Sequence, residues 1–138
     1  MTIMHVDYTG ELRTSARHEA SGATLVTDAP KDNQGQGEYF SPTDLLATSL
    51  GSCMLTIMGI KARALGVDLR GTSCEVEKIM QASPRKVAEI KVRFRWGAAV
   101  PEEAKPALRL AGETCPVMLS LDSSVTKTVV WGPGPAPA

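Results

Sequence analysis

Ser41-Pro42-Thr43-Asp44-Leu45-Leu46-Ala47-Thr48-Ser49-Leu50-Gly51-Ser52-Cys53 is the stretch whose reading decides the fold. Its first four residues spell a helix start. Ser41 can cap, and Pro42 suits the first helical position, where its missing N–H would be unpaired anyway. Asp44 adds a negative charge in the first turn, where it complements the helix dipole. The helix is expected to run to Leu65 and to stop at Gly66. It is apolar around most of its circumference, as a helix covered on several sides is. Ala47, Gly51, Ser52 and Gly59 would let neighbouring backbone approach closely. The uncharged run from Leu45 to Ile60 falls short of a bilayer crossing and carries Thr48, Ser49, Ser52 and Thr56, so it reads as a core helix.

Working outward, Met4 to Gly10 and Glu11 to Ala20 alternate weakly around Thr9-Gly10 and read as an opening hairpin. Ala23 to Thr27 continues as a short strand. Asp28 to Glu38 is rich in turn formers and reads as a long surface loop, of a length that often carries function. Beyond the helix, Val67 to Met80 holds two strand-like pieces around Gly71, and Ser83-Pro84-Arg85 turns the chain. Val87 to Trp96 is the clearest strand, alternating Ile90, Val92, Phe94 and Trp96. Pro101-Glu102-Glu103 opens a second helix with Leu108, Leu110 and Ala111 on its apolar side. Val125 to Trp131 is a last strand. Separate runs of strands and helices imply an α+β fold, with helices packed on an antiparallel sheet. One domain is expected over residues 1–131, followed by a disordered Pro/Gly-rich tail over 132–138.

The chain has 138 residues, with 15 basic and 15 acidic side chains. A balanced charge without a Lys/Arg cluster longer than a pair argues against nucleic acid and anionic membranes as partners. Met1 to Asp7 lacks the basic start and apolar run of a secretory signal, so a cytoplasmic location is expected. In that reducing setting, three cysteines, an odd number, suggest a transient catalytic disulfide rather than a structural framework.

The thiols carry the chemistry. Cys53 is too deep in its helix for the dipole to activate it, and its neighbours Ser49, Leu50, Thr56 and Ile57 would raise its pKa by desolvation. A reactive Cys53 needs a cation from elsewhere in the fold. Cys115 precedes Pro116, which favours an extended Cys115 capping a new helix, with the N–H groups of Val117 and Met118 stabilising its thiolate. On local grounds Cys115 is the better nucleophile. Cys74, in a strand pattern, reads as structural. His5 and His18 make no metal-ligand spacing with any cysteine, and neither a nucleophile elbow nor a phosphate-binding glycine loop occurs.

Phe40-Ser-Pro-Thr-Asp-Leu-Leu-Ala-Thr-Ser-Leu-Gly-Ser-Cys53, with Glu113-Thr-Cys115-Pro116 far downstream, resembles the OsmC/Ohr superfamily of osmotically inducible and organic-hydroperoxide-resistance proteins. The resemblance extends to about Trp131. It implies an intertwined homodimer, with antiparallel sheets packed on long central helices and active sites at the subunit interface. It also implies a cysteine-based peroxidase without metal, haem or other bound cofactor. In such proteins the helix-borne thiolate becomes a sulfenic acid, the second cysteine closes a disulfide, and an external, lipoyl-linked dithiol restores both.

Carried over by position, Cys53 matches the attacking cysteine and Cys115 the resolving one, which reverses the local ranking. The activating arginine aligns with Arg13, with Arg17 as the alternate. Many relatives hold that arginine with a glutamate immediately after the proline, where this chain has Thr43. Glu38 is the expected substitute. The expected substrate is an organic hydroperoxide in a pocket lined by Leu50, Met54, Met118 and Leu119. The alternative on the same scaffold is a non-enzymatic redox sensor or small-ligand binder.

Overall fold

The computed structural model describes residues 1–133. The chain divides into two compact units, residues 1–46 and the remainder from Ala47. In the first, β1 (Met4–Gly10), β2 (Arg13–His18) and β3 (Thr24–Asp28) form an antiparallel sheet in the order β1-β2-β3. The loop after β3 makes a 3-10 turn over Lys31–Asn33. In the second unit, β4 (Ser73–Ala82), β5 (Arg85–Arg95) and β6 (Thr126–Trp131) form another sheet, and α2 (Lys105–Glu113) and α3 (Pro116–Ser120) lie between β5 and β6.

Helix α1 (Pro42–Leu65) starts in the first unit and continues through the second. Its start is a reciprocal box: Asp44 N–H donates to Ser41 Oγ at 3.0 Å, and Ser41 N–H donates to Asp44 Oδ2 at 2.9 Å. Its end is a Schellman turn. Gly66 takes φ +69, Gly66 N–H reaches Arg63 O at 3.2 Å, and Val67 N–H reaches Ala62 O at 2.8 Å. With 24 residues, α1 is long and apolar enough to cross a membrane by length and composition, unlike its shorter uncharged run. Ala47, Leu50, Gly51, Met54, Met58 and Ala62 form one buried stripe. Leu46 and Ile60 stay exposed, so a single chain covers one face of the helix and not several.

Gly51 sets the distance between α1 and β4. A Cβ there would lie 2.7 Å from Val76 Cγ2 and 3.0 Å from Cys74 Sγ. The core continues through Val87, Ile90, Val92, Phe94, Trp96 and Leu108. A bulge opposite Ile79/Met80 pairs Val87 with Met80 and Glu89 with Ile79, which resets the inward alternation of β5. Trp131 stacks on Phe94 with ring centroids 4.3 Å apart.

Four expectations need correction. The sheet of the second unit is not wholly antiparallel, because β6 pairs parallel to β5 after a helical crossover, the connection such pairing requires. Residues 67–72 form no strand and turn at Arg70-Gly71, so only the second of the two strand-like pieces is a strand. Leu110 is exposed, and the buried face of α2 runs through Leu108 and Gly112. At the start of the supposed tail, Gly132 N–H donates to Phe94 O at 2.9 Å and Pro133 O accepts from Trp96 N–H at 3.4 Å. The rest of that tail, 134–138, lies outside the described residues.

Candidate active site

Cys53 sits about three turns into α1, half-buried and packed against the apolar core. Cys115 is wholly buried and caps α3. Its backbone is extended at φ −68, ψ 156, the conformation that a following proline favours, and its sulfur accepts a hydrogen bond from Met118 N–H at 3.4 Å. The two thiols lie close enough to interact, and Cys53 is one of the groups that raise the Cys115 pKa. Thiols more than sixty positions apart in sequence thus come near one another in the second unit.

The cap does not activate Cys115. Burial pushes its thiol pKa up, the Met118 and Val117 N–H groups oppose that, and the nearby Cys53 raises it further. The net direction is upward, so Cys115 remains a thiol at neutral pH. The expected stabilisation of a Cys115 thiolate by the helix end is therefore not what results, because desolvation outweighs a five-residue helix end. Cys74 in β4 is half-buried, and burial raises its pKa too. Of the expected pocket residues, Leu50 and Met54 are fully buried in the core, Met118 packs at its margin, and Leu119 is 73% exposed.

Arg13 and Glu38 come together in the first unit. One Arg13 nitrogen, Nη2, donates to Glu38, to Gln36 Oε1 at 3.0 Å and to Asp28 Oδ2 at 3.3 Å. The guanidinium carbon lies 5.2 Å from the Tyr39 ring centroid, within cation–π range. These contacts with Glu38 and Asp28 raise the Arg13 pKa, so the group stays cationic. Arg17, four residues along the same strand, is exposed. Thr43 stands 3.2 Å from Ser41 at the helix cap. Asp28 and Gln36 are additions that the sequence reading missed. Asp28 opens a turn-rich segment and so passes for a turn former, but pairing β2 with β3 sets it directly opposite Arg13. No group of three His, Cys, Asp or Glu able to hold a metal occurs among the described residues.

The model of the OsmC-like protein family matches residues 35–130, which include both paired cysteines. This chain belongs to the OsmC-like family. Among solved structures, one from Psychrobacter arcticus, described as an osmotic stress induced and detoxification response protein, is 47% identical, covers 96% of each chain and has a TM-score of 0.90. An OsmC-like protein from Mycoplasma pneumoniae is 17% identical over 97% of each chain, with a TM-score of 0.80. An organic hydroperoxide resistance protein from Legionella pneumophila is 19% identical over 96% of each chain, with a TM-score of 0.72. The last two share the fold. No curated protein matches the chain at a significant level.

Proposed function

We propose that this protein is a thiol peroxidase that reduces organic hydroperoxides in defence against oxidative stress. The observation that carries the reading is the nearness of Cys53 to the buried Cys115 in a chain of this family. Cys53, as the thiolate, attacks the terminal peroxide oxygen. The O–O bond breaks, the alkoxide leaves and takes a proton to become the alcohol, and Cys53 becomes a sulfenic acid. The Cys115 thiol then attacks that sulfur. An S–S bond forms, and the sulfenic hydroxide leaves with the thiol proton as water. An external dithiol, of the lipoyl class, reduces the disulfide by exchange and is itself oxidised to a disulfide. The raised pKa of Cys115 suits the second role, because a protonated thiol does not compete for peroxide. By position Arg13 matches the family's activating arginine, and Glu38 is among its partners.

A second copy of the chain completes the assembly. Met4, Val6 and Tyr8 line one face of β1 and are more than half exposed, and Leu25 on the same face of the sheet is 46% exposed. Such a sheet, with one apolar face open, needs a cover. Light scattering on the purified chain should give a dimer mass, and a monomer at micromolar concentration would refute this part.

The catalytic test is consumption of tert-butyl hydroperoxide with dihydrolipoamide. Cys53→Ser is expected to abolish turnover. Cys115→Ser should allow one oxidation per chain and no recycling. Consumption by the natural chain no faster than that of Cys53→Ser sinks the proposal, and a Cys53–Cys115 disulfide formed without turnover would point to redox sensing instead.

A further inference from the structure

Arg13 has two carboxylate partners with different standing. Glu38 is on the loop with 59% of its side chain exposed, whereas Asp28 is 0% exposed. Exposed ion pairs are weakly held because solvent screens them and a long side chain must be ordered. Asp28 is fixed in three ways. It lies directly opposite Arg13 across the β2–β3 pair, and its Oδ2 accepts Glu38 N–H at 2.9 Å, so one oxygen ties both the arginine and the loop. Its Oδ1 is buried without a hydrogen-bond partner among the described residues, as is Arg13 Nε. A buried carboxylate left partly unsatisfied is costly, and a turn alone does not need one. The carboxylates near the helix start cannot serve instead, since Asp44 is engaged in the cap and position 43 is threonine.

We infer that Asp28 is the positioning residue for Arg13, holding the guanidinium in the place that a glutamate after Pro42 would otherwise determine. Glu38 then acts as an outer and replaceable partner. The Glu38 N–H, followed by Arg13, holds the Asp28 carboxyl below its ordinary pKa, so it is an anion at neutral pH. The inference rests on Arg13 being the activating cation, and the test separates the two.

The experiment is a cycle of four proteins: natural, Asp28→Asn, Arg13→Ala and the double variant. Stopped flow reads the second-order rate of oxidation by tert-butyl hydroperoxide as a function of pH. Asp28→Asn keeps the shape and an oxygen for Glu38 N–H, and it should lower the rate about tenfold, within the usual coupling of contacting residues. Its pH midpoint should move upward. Both effects should disappear in the Arg13→Ala background. An equal loss from Asp28→Asn in both backgrounds marks a merely structural role and overturns the inference. So does an unchanged rate in Asp28→Asn while Arg13→Ala is slow, which leaves Arg13 as activator. An unchanged rate in Arg13→Ala itself overturns the activating role and this inference with it. If Asp28→Asn fails to fold, Asp28→Ser in the same cycle gives the same comparison.

Discussion

The buried residues of the first unit are Thr27, Asp28 and Ser41, all polar, while the second unit holds the whole buried apolar set from Ala47 to Val125. The first is organised by hydrogen bonds and ion pairs around Arg13, the second by close packing around α1. The difference divides the chemistry. A dry apolar unit brings two sulfurs together but pushes the pKa of a buried thiol up, as Cys115 demonstrates. The polar unit instead holds a permanently charged guanidinium among carboxylates.

The comparison predicts very unequal responses to truncation. Leu50→Ala, at a fully buried site, should lower stability by about 2–5 kcal/mol in urea unfolding, and a loss under about 1 would break the contrast. Ser41→Ala, which removes the α1 cap, should cost about 1 kcal/mol in the same assay. Leu25→Ala, on the exposed sheet, should change stability by less than about 0.5 kcal/mol at dilutions that separate subunits. If a second copy covers that face as proposed, the loss should grow with protein concentration. A concentration-independent value would argue against the dimer.

Acid sharpens the comparison further. The Asp28 carboxyl is depressed in the folded state, so its contribution is complete above the unfolded carboxyl value near ~3.9 and fades as pH falls through its lower folded value. The acid limb should be shallower in Asp28→Asn. An identical limb in both proteins would show that the carboxyl is not linked to folding.

The parts of the fold written in short-range chemistry were legible. Ser41, Asp44 and Gly66 announce both ends of α1, and Cys115-Pro116 announces a cap, because those signals act within a few residues. What was missed depends on pairing between distant segments. Asp28 looks like any loop acid until strand register sets it opposite Arg13. The parallel docking of β6 leaves no local mark, since Val125 to Trp131 alternates in the same way under either pairing. The upward shift of Cys115 was missed because its local sequence shows the donors at the helix end but not the depth at which the sulfur is buried.

The parallel pairing of β6 also bears on timing. Glu89 of β5 meets Thr126 of β6 only after the intervening segment, which carries Cys115, has been made and folded back. Contacts of such long sequence separation are slow to form, because loop closure is opposed by chain entropy until they are complete. During synthesis Cys53 emerges well before Cys115, so in a newly made chain the two thiols cannot yet come together. The thiol pair is therefore among the last features of the chain to assemble, because it waits on a segment made well after α1.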